Sequence, residues 1–161
     1  MLPDFDRYGN LPPGLHVVEW GDFYRRYSRG SRRLALIQGL REALISLSSA
    51  GCKLVYVDGS FVTAKSEPGD FDACWSVEGV NADALDPVFL TFSNGRAAQK
   101  ARFGGELFPA ELPEGISGKT FIEFFQTDKN TGGRKGLVVI ELDVAELIAS
   151  PIVNNVERDL S

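Results

Sequence analysis

Residues 53–76 read KLVYVDGSFVTAKSEPGDFDACWS, and the fold turns on how this stretch is taken. Leu54, Val55, Tyr56 and Val57 form a β-branched and aromatic run that predicts a buried strand. The run stops at Asp58-Gly59-Ser60. Nine residues intervene before Asp70-Phe71-Asp72, where Ala73, Cys74 and Trp75 continue as a second strand. Strand alternation puts Asp70 and Asp72 on one face, about 6–7 Å apart, with Phe71 turned the other way. Two adjacent carboxylates repel, and a hard divalent cation such as Mg2+ relieves that repulsion. Gly59 permits close backbone approach, and Ser60 offers a hydroxyl beside backbone N–H groups that suit phosphate.

An apolar residue, Gly-Ser, nine residues, then Asp-apolar-Asp-apolar resembles the signature of the polymerase-beta nucleotidyltransferase superfamily. Gly59-Ser60 and Asp70-Phe71-Asp72-Ala73 match it, and Asp58 departs from it by standing where the pattern prefers an apolar residue. The wider string, from LPPG through YVDGSFVTAK, GDFD and GGELFPAE to FFQTDKNTGG, is similar to a group of small bacterial proteins. The resemblance implies a minimal nucleotidyltransferase: a single α/β (α+β) domain over residues 1–161, with a mixed β-sheet and helices mainly on one face. It further implies Asp70 and Asp72 as ligands of two Mg2+ ions, with NTP as substrate and Gly59 and Ser60 on its phosphates. Superfamily enzymes commonly carry a third carboxylate on a strand beside the Asp-x-Asp strand. Ile140-Glu141-Leu142 has the apolar-acid-apolar form, so Glu141 is the expected third ligand, with Asp143 in reserve. Lys65, in the loop behind the Gly-Ser turn, and Arg96 with Lys100, four apart on a predicted helix, are the cations expected to meet phosphate.

By resemblance the acceptor is an RNA end or a protein hydroxyl, and the setting is a toxin–antitoxin pair with a cognate partner protein. The alternative is a catalytically degenerate nucleotidyltransferase fold kept as a binding module. The net charge of −5, from 17 Lys and Arg against 22 Asp and Glu, opposes broad non-specific nucleic-acid binding while allowing a local basic cleft. No run of about 20 apolar residues predicts a membrane span, and the N-terminus lacks a signal core, so a cytoplasmic chain is expected. Cys52 and Cys74 read as reduced core thiols, and one histidine with no close cysteine pair argues against zinc.

Outward from the motif, residues 1–15 read as an irregular lead punctuated by Pro3, Pro12, Pro13 and Gly14, and His16 as surface or structural. Trp20, Phe23, Tyr24 and Tyr27 recur at helical spacing. A second helix is predicted from Arg32 to Ala50, with Leu34, Ile37, Leu40, Leu44 and Leu47 inward and Arg33, Gln38, Arg41 and Glu42 mainly outward. Gly51 closes it. Residues 82–93 are ambiguous and lean towards a helix start. A helix over Arg96–Phe103 precedes a packed loop or edge strand at 106–111. Residues 119–127 predict a helix with Phe121, Phe124 and Phe125 inward, and 127–136 a turn without P-loop spacing. Leu137–Leu142 is the last predicted strand, and 145–161 a short helix with a polar tail.

Overall fold

The computed structural model describes residues 2–128 and 132–149. Its centre is a five-stranded mixed sheet in the order β1-β5-β2-β3-β4. The strands are β1 (Gly14–Glu19), β2 (Leu54–Asp58), β3 (Phe71–Trp75), β4 (Gly105–Pro109) and β5 (Gly136–Glu141). β2 runs antiparallel to both of its neighbours, β3 and β5, whereas β1/β5 and β3/β4 are parallel. The helices are α1 (Trp20–Tyr27), α2 (Ser31–Ser49), α3 (Ser93–Phe103), α4 (Phe121–Phe125) and α5 (Val144–Ile148).

Period-2 alternation sorts each strand between two faces. Val55 and Val57 of β2, Phe71, Ala73 and Trp75 of β3, Leu107 of β4, and Val138 and Ile140 of β5 join the main core. Ile37, Leu40, Leu44 and Leu47 of α2 and the aromatic stripe of α1 pack on them, Trp20 on Phe23 and Phe23 on Phe61. The opposite face has a smaller cluster in which Phe108 meets Phe121 and Phe125 of α4. Helices thus lie mainly on one face, as the resemblance implies, with α4 on the other.

Several local expectations are revised. Gly14–Glu19 is an edge strand, although the Pro- and Gly-punctuated lead obscures it; His16 Nε2 donates to the Pro12 carbonyl at 2.7 Å, a structural role. The lead before it packs on the body through buried Leu11 and a bond from Ala64 N–H to the Gly9 carbonyl. Pro87–Leu90 is a short 3-10 turn capped by Asp86. α3 becomes regular only after Asn94, Gly95 and Arg96, which take left-handed φ of 53°, 60° and 61°. Phe124 is exposed, turned away from the cluster that holds Phe121 and Phe125. Arg33 is buried, against the outward position its helical spacing suggests. Cys52 and Cys74 are buried free thiols in separate clusters. The predicted polar tail beyond Ala149, like residues 129–131 of the predicted turn, lies outside the described residues.

Candidate functional site

β2 ends at Asp58, opposite Asp72 of β3, and Asp72 is in turn opposite Glu106 of β4. Residues paired across neighbouring strands share a face, so three carboxylates form a row across three strands, with backbones about 4.8 Å apart. Asp70 precedes Asp72 by two and falls on the same side. Carboxylate oxygens of Asp70, Asp72 and Glu106 all lie within 4.8 Å of one another.

Cations flank both ends of this row. Lys135 Nζ stands 3.3 Å from Asp58 Oδ2. Arg96 Nη1 and Lys100 Nζ each approach Glu106 at 3.2 Å, on different oxygens. The Arg96 guanidinium lies 4.1 Å above the Phe108 ring, and its Nε is buried without a hydrogen-bond partner among the described residues. A left-handed φ at a non-glycine residue costs on the order of 1–3 kcal/mol, so Arg96 sits in a strained backbone beside the cluster. Among the described residues Asp72 has no ion pair, and it bears the repulsion. Burial first, then the charges of Asp70, Glu106 and Asp58, push its carboxyl from 3.8 up to about 7, with Lys135 opposing.

Gly59 makes the turn between the strands, at φ +81°. Glycine is required by this conformation, and a Cβ there would lie 3.1 Å from Asp72 Oδ2, close enough to push the carboxylate aside by a few tenths of an ångström. Ser60–Val62 then forms one 3-10 turn, tied by Thr63 Oγ1 donating to the Ser60 carbonyl. Gly59, Ser60 and Asp58 line a cleft of roughly 520 Å3 with Lys135, Arg134 and Asn10.

The loop joining the two halves of the motif is held by two consecutive arginines of α2. Arg33 donates to the carbonyls of Phe61 (2.6 Å), Thr63 (2.9 Å) and Lys65 (2.6 Å) and stacks 4.9 Å over Phe61. Arg32 donates to the carbonyls of Pro68 and Gly69, directly before Asp70. On the far side of the row, buried Gln99 accepts from Leu107 N–H at 2.8 Å and donates to the Val88 carbonyl. It thereby holds the edge strand that carries Glu106.

The structure brings together Gly59, Ser60, Asp70, Asp72, Arg96 and Lys100, and leaves out three of the residues expected beside them. Glu141 is paired with Leu54, four residues along β2 from Asp58, about 13 Å from the row. Its strand neighbours β2 rather than β3, and the acids directly opposite Asp72 are Asp58 on β2 and Glu106 on β4. Asp143 caps α5 by accepting from Ala145 and Glu146 N–H. Lys65 faces a separate cavity bounded by α1 and α2. Sequence reading missed Asp58, Glu106, Lys135 and the buried Arg33. Glu106 carried a signal, an acid directly after Gly104-Gly105 at the head of an edge strand; Arg33 carried none.

Fold and site define a single-domain α+β protein whose mixed sheet carries an acidic cluster beside a Gly-Ser turn, bracketed by cations. The chain belongs to DUF6932, a family of unknown function whose model matches residues 3–141. No curated protein and no solved structure matches it. Among the described residues no helix is long and apolar enough to cross a membrane.

Proposed function

We propose that this is a Mg2+-dependent nucleotidyltransferase of the polymerase-beta type, moving NMP from NTP to a hydroxyl on an RNA end or a protein. The observation that carries this reading is the convergence of carboxylate oxygens of Asp70, just before β3, Asp72 on β3 and Glu106 on β4 within 4.8 Å, beyond the Gly59-Ser60 turn. An all-carboxylate set of this size suits a hard divalent cation, and the raised pKa of Asp72 reflects burial first and then the repulsion that such a cation relieves. When bound, Mg2+ would acidify the attacking hydroxyl and offset charge on the departing pyrophosphate.

The remaining work falls to the chain. Gly59 and Ser60 present backbone and hydroxyl donors to the β- and γ-phosphates, and Lys135 and Arg134 line the same cleft to offset their charge. Arg96 and Lys100 orient Glu106. The acceptor oxygen attacks the α-phosphorus, the α–β bridging P–O bond breaks, pyrophosphate leaves, and the hydroxyl proton passes to solvent. A toxin–antitoxin setting with a cognate partner protein fits this chemistry through the family resemblance.

A second reading is a non-catalytic binding module. It draws on the protein's own compensation of two carboxylates, Glu106 by Arg96 and Lys100, and Asp58 by Lys135. Incubation with each α-labelled NTP, Mg2+ and total RNA or lysate separates the two. Label on RNA or protein with wild type, absent with Asp70→Asn and Asp72→Asn, supports the enzyme. No labelling and no Mg-NTP binding leaves the module.

A further inference from the structure

Arginines are concentrated where the first two helices join: Arg25, Arg26, Arg29, Arg32 and Arg33 fall within nine residues of a chain whose net charge is −5. They do not form a merely solvated face. Arg25, Arg26, Arg29 and Arg33 line a cavity of roughly 630 Å3, closed on its far side by Thr63, Lys65 and Ser66 of the loop between the motif halves. That size is within the range of ligand sites. Asp22 is the one carboxylate in the lining, and it is already paired with Arg25. Arg33 is spent on loop carbonyls, and Arg26 donates to the Pro3 carbonyl and stacks on Phe5. Arg29 and the Lys65 ammonium are exposed, with no hydrogen bond or ion pair among the described residues.

We propose that this cavity is a phosphodiester subsite, holding the backbone of a single-stranded RNA whose end is the acceptor. The guanidinium fork matches phosphate oxygens in pairs, and five cations against one carboxylate favour a polyanion. Thr63 lines both this cavity and the Asp58–Ser60 cleft, so the two share a wall at the same end of the sheet. A strand laid along this cavity, its phosphates against Arg26, Arg29 and Lys65, therefore has its terminal hydroxyl at the end of the sheet that carries the acidic cluster. The patch is local, so it does not conflict with a net charge that opposes broad nucleic-acid binding. The assignment of the RNA as acceptor rests on the nucleotidyl-transfer reading; the binding itself does not.

The test is fluorescence anisotropy of the full chain with a labelled single-stranded RNA of about ten nucleotides, in EDTA and without nucleotide. Omitting metal and NTP makes the result independent of whether transfer chemistry exists. Neutralising three phosphates gives a log–log salt slope of about −2, so affinity should fall roughly 20-fold between about 50 and 200 mM salt. The double variant Arg29→Glu/Lys65→Glu, at two exposed side chains, should weaken binding at least about tenfold and flatten the slope. Arg29→Gln/Lys65→Gln should fall between it and wild type. Equal affinity of wild type and both variants overturns the proposal, as does absence of binding. So does competition by polyglutamate as strong as that by unlabelled RNA, which would make the cavity a general anion surface. Competition by free ATP at equal concentration would assign it to a nucleotide instead.

Discussion

Replacing Asp72 by asparagine is expected to stabilise the protein above neutral pH and to do nothing of the kind in acid. The carboxyl of Asp72 rises from 3.8 to about 7 on folding, through burial and three neighbouring acids. An acid whose folded pKa is raised binds its proton more tightly when folded, so stability falls as pH rises from about 4 to about 7. At ~1.36 kcal/mol per pKa unit the full penalty comes to about 4 kcal/mol above pH 7, and it vanishes below pH 4. Asparagine has nearly the same shape and no charge. Urea unfolding of wild type and Asp72→Asn at pH 4, 6 and 8 reads the titration of this group together with the repulsion it shares with Asp70, Glu106 and Asp58, while the more distant titrations cancel between the two chains. The variant should be more stable by about 2–4 kcal/mol at pH 8, with the advantage gone at pH 4. Millimolar Mg2+ should narrow the gap at pH 8 by stabilising wild type alone. An equal difference at pH 4 and pH 8 would refute the reasoning, since Asp72 would then behave as a solvated surface carboxylate.

Three further expectations concern the same site. Glu106→Gln should abolish label transfer while Glu141→Gln leaves it within about twofold, because only Glu106 is on the strand beside Asp72; the reverse pattern would place the third carboxylate elsewhere. Gly59→Ala should cost on the order of 1–3 kcal/mol by thermal unfolding and weaken nucleotide binding, since it forces a left-handed φ and a Cβ against Asp72 Oδ2. Arg33→Met should destabilise by about 3 kcal/mol or more, leaving the carbonyls of Phe61, Thr63 and Lys65 without their donor. Hydrogen exchange should then rise across residues 61–69 ahead of the sheet.

Local pattern was enough for β2, β3 and β5, whose apolar residues alternate or run together, and for α1 and α2, whose stripes have helical spacing. It was also enough to find Gly59-Ser60 and the Asp70/Asp72 pair, because a turn and a strand two residues in period are properties of contiguous chain. It failed at β1, where prolines crowd the approach, and at Phe124, where a five-residue helix buries too narrow a stripe to orient its aromatics. The basic helix was read correctly as cationic, yet nothing local said that Arg96 and Lys100 would close on Glu106.

What the sequence determined by itself is the motif: which residues turn, which alternate, and which acids share a face within one strand. What only the tertiary structure decided is which strands lie side by side. Strand order β1-β5-β2-β3-β4 puts Glu106 beside Asp72 and Glu141 two strands across, and register sets Glu141 about 13 Å further along the sheet. Pairing across a sheet depends on how the whole apolar face is covered, so no window of sequence around either glutamate contains it. The burial of Arg33 has the same origin, since its donors are spent on carbonyls about 30 residues distant in the chain.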